Sequence, residues 1–146
     1  MSLANKYRPK KLDQVIGNEM LINAIRRIIE RKKSRPQTFI LQGPRGCGKT
    51  TIARIMAKML KATGRDLHEK NIADMRGIDT ARELLRNLPL MPLEGESKVI
   101  ILNEVHQATK EFQNTMLESL EEPPQDVYFI LCTTNPEALL DTVLSR

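Results

Sequence analysis

The sequence predicts an α/β fold in which a parallel β-sheet is covered by helices on both faces. Strand and helix patterns alternate along the chain, which is typical of such sheets. Two apolar runs, within residues 98–102 and 127–132, are typical of strands buried on both faces. Polar residues follow the expected strand ends, where parallel sheets bind their ligands. A binding site is therefore expected at the carboxyl edge of the sheet.

Length and composition indicate one domain, residues 1–146, with enough chain for a hydrophobic core. No apolar run reaches the length of a membrane span, and the N-terminus lacks the pattern of a secretory signal. Cys47 and Cys132 are too few for a disulfide framework or a four-cysteine zinc site, so we expect a reduced, cytoplasmic setting. The formal net charge of +5 favours an anionic partner.

The first helix is predicted from Asn18, a suitable N-cap, to about Ser34, after an irregular basic segment. Its apolar face is expected to hold five residues at helical spacing: Leu21, Ala24, Ile25, Ile28 and Ile29. The opposite face is rich in arginine and lysine. Those cations could contact nucleic-acid phosphates, or they could be a solvated face that complements the helix C-terminus, and the sequence leaves both open.

The stretch at residues 43–50 matches the phosphate-binding pattern G-x-x-x-x-G-K-[ST] at every fixed position. The loop residues are Gly43, Pro44, Arg45, Gly46, Cys47, Gly48, Lys49 and Thr50. A short apolar run at 38–42 predicts a buried strand before the loop, and an apolar helix should begin near Lys49. This context favours a nest of backbone N–H groups for phosphates, with Lys49 on the β- and γ-phosphates and Thr50 on Mg²⁺.

The middle of the chain carries weaker signals. A weak strand is predicted at residues 71–75, and His68 before it is expected at the surface. Asp79 could cap a helix from Thr80 to about Leu88, which Pro89 would stop. Farther on, Thr109 is expected to cap a helix that ends before Pro123 and buries one apolar stripe: Phe112, Met116, Leu117 and Leu120.

Asn103 and Glu104 follow the strand predicted at 98–102. In phosphate-loop nucleoside triphosphatases this strand usually ends in Asp, which holds Mg²⁺, and then Glu, which activates water. Asn103 keeps a hydrogen-bond acceptor but removes one negative charge. Losing a charge-assisted contact costs about 1.5–3 kcal/mol, so nucleotide binding is predicted more firmly than hydrolysis. Asn135, after the next strand, is placed to reach the γ-phosphate or the attacking water.

A series of short motifs also follows one order along nearly the whole chain. The motifs are Lys6-Tyr7-Arg8-Pro9, Leu12-Asp13-Gln14-Val15-Ile16-Gly17, the phosphate loop, Arg76-Gly77-Ile78-Asp79, Asn103-Glu104-Val105-His106, Leu120-Glu121-Glu122-Pro123-Pro124, Thr133-Thr134-Asn135 and Leu144-Ser145-Arg146. Together they resemble the AAA+ ATPase domain of sliding-clamp loader subunits, of the bacterial DNA polymerase III gamma/tau type and similar to replication factor C small subunits. The resemblance implies a P-loop NTPase fold of AAA+ type.

The resemblance also implies roles for individual residues and partners for the chain. The nucleotide-binding set would add Thr51 to the loop, with an adenine pocket formed by Tyr7, Arg8, Pro9, Ile16 and Gly17. Asn135 would be the first sensor, Arg146 an arginine finger on a neighbouring subunit's ATP, and Arg82 and Arg86 contacts to DNA phosphates. The cofactors would be ATP and Mg²⁺, with Thr50 and Asn103 on the metal. The partners would be other subunits of a ring, a sliding clamp and primer–template DNA.

The sequence departs from this family in three ways. Asn103 replaces the Walker B Asp. The four-cysteine insert of the bacterial gamma subunit is absent, so no zinc is expected. The sequence ends at Arg146, whereas in the family a last strand, a helical lid and a collar follow, which indicates an ATPase core truncated before them.

Two readings of the function follow from the resemblance. The first is an ATP-hydrolysing clamp-loader subunit acting in DNA replication, with Lys49, Glu104, Asn135 and Arg146 as its catalytic set. The alternative is a nucleotide-gated structural subunit that binds ATP with little hydrolysis because of Asn103. A Holliday-junction branch-migration ATPase is disfavoured by the motifs at 76–79 and 145–146.

Overall fold

Four parallel strands organise the part of the chain that the structure, a computed structural model, describes: residues 8–14, 19–31, 33–74, 82–83, 86, 92–135 and 137. The strands are β1 (Thr38–Gln42), β2 (Leu67–Asn71), β3 (Lys98–Asn103) and β4 (Val127–Thr133). Their order across the sheet is β1-β4-β3-β2, and every pairing is parallel. The predicted parallel sheet is thus confirmed.

The two central strands carry the hydrophobic core. All of β4 and all but the last residue of β3 are buried, because both strands have a neighbour on each side and helices above and below. Alternate residues point to opposite faces, so Ile101 and Ile130 join one apolar cluster while Ile100 and Leu131 join another. Two clusters, one on each face, confirm the prediction that helices cover both sides of the sheet.

Three helices supply the outer halves of these clusters. They are α1 (Glu19–Glu30), α2 (Lys49–Met59) and α3 (Lys110–Glu121). α1 and α2 cover one face, and α3 covers the other. Thr109 caps α3 as predicted, because its hydroxyl accepts a hydrogen bond from the Phe112 N–H across 3.1 Å. None of the helices among the described residues is long and apolar enough to cross a membrane.

The buried face and the end of α1 differ from the prediction. Ile22, Ile25 and Ile29 are buried, whereas Leu21 and Ala24 are exposed. Two adjacent stripes of this helix are about equally apolar, and only the position of α2 decides which one faces inward. The helix ends at Glu30 rather than near Ser34, whose φ of 57° is incompatible with a continuing right-handed helix. The predicted cap Asn18 lies outside the described residues.

The strand predicted at 71–75 was placed too late in the chain. The strand is β2, which ends at Asn71, and a 3-10 turn follows over Ile72–Asp74. β2 pairs only with β3 in the described sheet, and such an edge position tolerates the polar residues that concealed it in the sequence. His68 is half-buried rather than at the surface, and burial, with the charges of Lys98 and Lys70, lowers its pKa.

β1 also lies at an edge of the described sheet, which corrects its predicted burial. Its first four residues are half-buried and Gln42 is exposed, since β4 is its one partner in this part of the chain. Thr38 pairs with Phe129, and the register continues to Gln42 beside Thr133.

A buried carboxylate fixes the chain that leads into β3. Asp66 is 1% exposed and accepts hydrogen bonds from the N–H groups of Leu93, Glu94 and Gly95, at 2.6, 2.7 and 2.6 Å. Burial pushes the pKa of Asp66 upward, but these three donors and the charge of Lys98 outweigh it, so the pKa lies below its ordinary value. The carboxylate therefore stays ionised and holds residues 93–95 against the start of β2.

Candidate nucleotide-binding site

The phosphate loop leaves the carboxyl end of β1 and is fastened to β4. The Gly43 N–H donates a hydrogen bond to the Thr133 carbonyl oxygen at 3.3 Å, which extends the β1–β4 ladder into the loop. Gly46 and Gly48 have φ values of 81° and 93°, a left-handed region that residues with a side chain rarely adopt. Gly48 passes directly into the first turn of α2, so the positive end of that helix faces the loop.

The Lys49 ammonium lies across this loop. Its Nζ donates hydrogen bonds to the carbonyl oxygens of Gly43 and Pro44 at 2.8 and 2.9 Å, and the Cys47 Sγ lies 3.8 Å away. These carbonyl contacts can be exchanged for phosphate oxygens, which attract the ammonium more strongly because they are charged. The loop therefore holds a cation where a polyphosphate would need one.

The first turn of α2 meets the end of β3 through side chains. The Thr50 hydroxyl donates to the Asn103 Oδ1 at 3.0 Å, and the Asn103 Nδ2 donates to the Glu69 Oε1 at 3.2 Å. Arg54 holds Glu69 with two bonds of 2.8 Å. These hydrogen bonds lower the pKa of Glu69, with Arg54 the largest contributor, although burial acts in the opposite direction.

Arg54 and Glu69 were not among the residues predicted for the site. Their charge gave little signal, because β2 is largely polar and α2 carries other charged residues. An ion pair between a helix and a strand depends on how the two pack, which the local pattern does not show.

Glu104 belongs to a second network at the same edge. Its φ of 57° is unusual for a residue with a long side chain, and its Oε2 lies 3.4 Å from the His106 Nε2. The His106 Nδ1 lies 3.0 Å from the Thr133 Oγ1, which also accepts from the Asn135 N–H at 3.0 Å. Every group is satisfied if Thr133 donates to Nδ1 and the Nε2–H points at Glu104. The network thus connects the ends of β3 and β4.

The two networks meet at the end of β3, because Asn103 of the first network and Glu104 of the second are consecutive residues. The thiol of Cys132 on β4 is buried, and burial raises its pKa to about 12; the charge of Lys49 opposes this rise, and the charges of Glu69 and Glu104 add to it.

The donor set at this edge fits a triphosphate with Mg²⁺. The loop offers backbone N–H groups and an ammonium, which suit phosphate oxygens. Beside it, the hydroxyl of Thr50 and the carboxamide oxygen of Asn103 are hard oxygen donors of the kind that Mg²⁺ takes while keeping several waters.

Comparisons with known proteins agree with this chemistry. Residues 67–146 match the family described as DNA polymerase III, delta subunit, and residues 2–77 match the Rad17 P-loop domain. Each match spans more than half of the chain. The chain belongs to the AAA+ ATPase domains of sliding-clamp loader subunits.

Relatives of this clamp-loader domain include replication proteins. It is 34% identical to DNA polymerase III subunit gamma of Buchnera aphidicola over 99% of this chain and 44% of that protein. It is also 34% identical to DNA polymerase III subunit tau of Escherichia coli, over 99% of this chain and 26% of that protein. The chain thus spans from about a quarter to less than half of these relatives.

Solved structures share the clamp-loader domain's fold. A DNA polymerase III gamma subunit-related protein from Thermotoga maritima has a TM-score of 0.69 at 25% identity, covering 85% of this chain and 43% of that one. The Holliday-junction branch-migration motor RuvB from the same organism has a TM-score of 0.76 at 25% identity, covering 96% and 46%. The AAA+ fold is common to both, and the sequence matches are what point to the clamp loaders.

The clamp-loader domain places some of the remaining expected residues at or near the site. Arg8, Pro9 and Thr51 line one cavity of about 220 Å³ beside α2, together with Leu67 and Glu69. Asn135 is exposed at the end of β4. Arg82 and Arg86 are helical and exposed. Four expected residues lie outside the described part of the chain: Tyr7, Ile16, Gly17 and Arg146.

Proposed function

We propose that this chain binds Mg²⁺–ATP at the carboxyl edge of its sheet and works as a subunit of a DNA sliding-clamp loader in replication. The observation that carries the proposal is the contact between Thr50 and Asn103. It joins the phosphate loop to the strand whose next residue is Glu104. Family membership supports the clamp-loader assignment, since the relatives at 34% identity are DNA polymerase III gamma and tau subunits.

In this proposal each part of the site has a role. The loop N–H groups and Lys49 bind the β- and γ-phosphates, while Arg8, Pro9 and Thr51 line the adenine side with Tyr7, Ile16 and Gly17. Thr50 and Asn103 hold Mg²⁺, which neutralises charge on the phosphate oxygens when it is bound.

Hydrolysis would use the second network. Glu104 takes a proton from water as the water oxygen attacks the γ-phosphorus, and the bond to the bridging oxygen breaks to leave ADP and phosphate. His106 restrains the Glu104 carboxylate. Asn135, whose backbone N–H donates to the Thr133 hydroxyl, would orient the water or sense the γ-phosphate. Arg146 would act on the site of a neighbouring subunit, where it stabilises transition-state charge.

A second candidate function is nucleotide-gated assembly without appreciable hydrolysis. Asn103 favours it, because a carboxamide contacts Thr50 where the family has a carboxylate. The two candidates differ in the ATPase rate of the assembled complex. A large gain for Asn103→Asp supports the non-hydrolysing subunit, and equal rates remove it.

The proposed partners follow from the family and from charge. A ring of clamp-loader subunits would hold primer–template DNA, and Arg82 and Arg86 are exposed cations, each at a helical position. Their joint replacement by Gln should weaken DNA binding by the assembled complex and reduce its salt dependence, without changing ATP affinity in the absence of DNA.

The experiment that tests nucleotide binding is a titration of this chain with a fluorescent ATP analogue, with Mg²⁺ and with EDTA. Lys49→Ala should abolish the signal because it removes the ammonium from the centre of the loop. Lys110→Ala is the control, since Lys110 is an exposed lysine in the first turn of α3, which covers the opposite face of the sheet. Binding that survives in Lys49→Ala would place the nucleotide elsewhere and overturn the proposal.

A further inference from the structure

We propose that Glu69 is a positioning residue for the metal side of this site: it orients the Asn103 side chain so that the carboxamide oxygen, and not the amide nitrogen, faces Thr50. The inference rests on the proposed function, because the oxygen matters only if Mg²⁺ binds beside Thr50. It gives the site a component that lies on a different strand from the Walker B residues.

The two ends of a carboxamide form different hydrogen bonds. Asn103 can present either its oxygen or its NH₂ group to Thr50, and a Thr hydroxyl can donate to the first or accept from the second. Thr50 therefore does not decide the orientation. Glu69 does, because an ionised carboxylate only accepts hydrogen bonds and so requires the NH₂ group. The 3.2 Å bond from the Asn103 Nδ2 to Glu69 leaves the oxygen for Thr50.

Glu69 is itself held in place. Arg54 donates two hydrogen bonds of 2.8 Å, one to each carboxylate oxygen, in a salt bridge between the helix and the strand. The paired carboxylate is therefore a fixed hydrogen-bond acceptor for the Asn103 NH₂ group.

The sheet register makes the contact specific. Glu69 on β2 stands opposite Ile101 on β3, and Asn103 is two residues farther along β3, so the two side chains are diagonal neighbours on one face. That face is covered by α2, which carries both Arg54 and Thr50. The chain of contacts from Arg54 through Glu69 and Asn103 therefore returns to the helix where it began.

This arrangement predicts that Glu69 matters for an amide at position 103 and not for a carboxylate. A carboxylate presents an oxygen to Thr50 in either orientation, so it needs no orienting partner. The role of Glu69 can thus be recognised by its dependence on the residue at position 103, since only with Asn there should Glu69→Gln reduce metal-dependent binding.

The test measures the dissociation constant of a fluorescent ATP analogue in Mg²⁺ and in EDTA for four proteins: the native chain, Glu69→Gln, Asn103→Asp and the double variant. The constant in EDTA divided by the constant in Mg²⁺ gives the gain in affinity that the metal provides. In the native chain, Glu69→Gln should reduce this ratio by about fivefold to tenfold, the effect expected of one lost hydrogen bond. With Asp at position 103, the same change should alter the ratio by less than about twofold.

Two measurements keep the result interpretable. Melting temperatures without nucleotide report the structural cost of Glu69→Gln, which is expected to be smaller with Asp at position 103, because there the change also removes repulsion between two carboxylates. Lys70→Gln, an exposed neighbour on the same strand, should leave the ratio unchanged. An equal loss in both backgrounds, or no loss in the native chain, overturns the role of Glu69 while leaving nucleotide binding intact. A native chain that binds no nucleotide overturns the proposed function itself, and the role of Glu69 with it.

Discussion

The Thr50 hydroxyl donates a hydrogen bond to the Asn103 carboxamide oxygen across 3.0 Å, although 53 residues separate the two in the chain. The bond joins the start of α2 to the end of β3 on the face that α2 covers. A ligand bound at the phosphate loop is therefore coupled through this bond to the strand that precedes Glu104. A change at the end of that strand is coupled to the loop in the same way.

Replacing Thr50 by Val should separate metal binding from phosphate binding. Val keeps the shape but removes the hydroxyl, so the gain in ATP-analogue affinity that Mg²⁺ provides should be lost, while affinity in EDTA changes little. Thr63→Val, at an exposed position away from the loop, is the control. The measurement is the dissociation constant of the ATP analogue with Mg²⁺ and with EDTA. If Mg²⁺ raised the affinity of Thr50→Val as much as that of the native chain, the prediction would be contradicted.

A side chain at position 43 would first meet the thiol of Cys47. A Cβ there would lie 2.7 Å from the Cys47 Sγ but 3.9 Å from its Cβ. Because the exposed Cys47 side chain can rotate away, we expect Gly43→Ala to lower the free energy of unfolding by only about 1 kcal/mol, and Cys47→Ala in the same chain to restore most of it. Denaturant unfolding of the single and double variants measures both effects.

Gly48→Ala should differ from Gly43→Ala in the cause of its effect. No atom lies within 4 Å of a Cβ at Gly48, but its φ of 93° is strained for any residue with a side chain. Trimming a neighbour should therefore not rescue Gly48→Ala, and a rescue would mean that steric contact, not backbone conformation, is the cause.

The two cysteines should differ sharply in reactivity. Cys47 is exposed in the phosphate loop, whereas Cys132 is 2% exposed and burial raises its pKa to about 12. A maleimide at pH 7.5 should add once to the native protein, and Mg²⁺–ATP should slow the addition because phosphates would occupy the loop. Mass spectrometry counts the adducts, with Cys47→Ser as the control that should remain unlabelled. Addition at Cys132 in the folded protein would contradict the packing described for β4.

Asp66 should make stability depend on pH in the acid range. Burial opposes ionisation, but the donors of Gly95, Leu93 and Glu94 hold the folded-state pKa below its ordinary value. A lowered pKa stabilises the fold above the ordinary value, and that contribution is lost as the pH falls through the folded-state pKa. We expect Asp66→Asn to cost about 2 kcal/mol at neutral pH and to flatten the decline in acid.

The free energy of unfolding between pH 7 and pH 3 tests this expectation. Asp74→Asn, at an exposed position, should reproduce the native curve. If Asp66→Asn and the native protein lose stability in parallel, the carboxylate is not the acid-sensitive group.

The sequence was informative wherever the local pattern and the packing agreed. β3, β4 and the phosphate loop follow from apolar runs and one motif, because strands buried on both faces leave little freedom in their composition. β2 was misplaced because an edge strand needs no such composition. The contact of Glu69 with Asn103 could not be predicted, since it depends on a register between two strands that the sequence does not encode locally.

The order of the strands in the sheet also determines at what point in translation this site can form. β1 pairs with β4 in the described sheet, so the strand that leads into the phosphate loop finds its partner only after residues 127–133 have left the ribosome. Until then a nascent chain carries the nucleotide motif without the surface that anchors Gly43. We therefore expect nucleotide binding to require the completed sheet, so that an interrupted translation product would carry the phosphate-loop motif without a folded binding site.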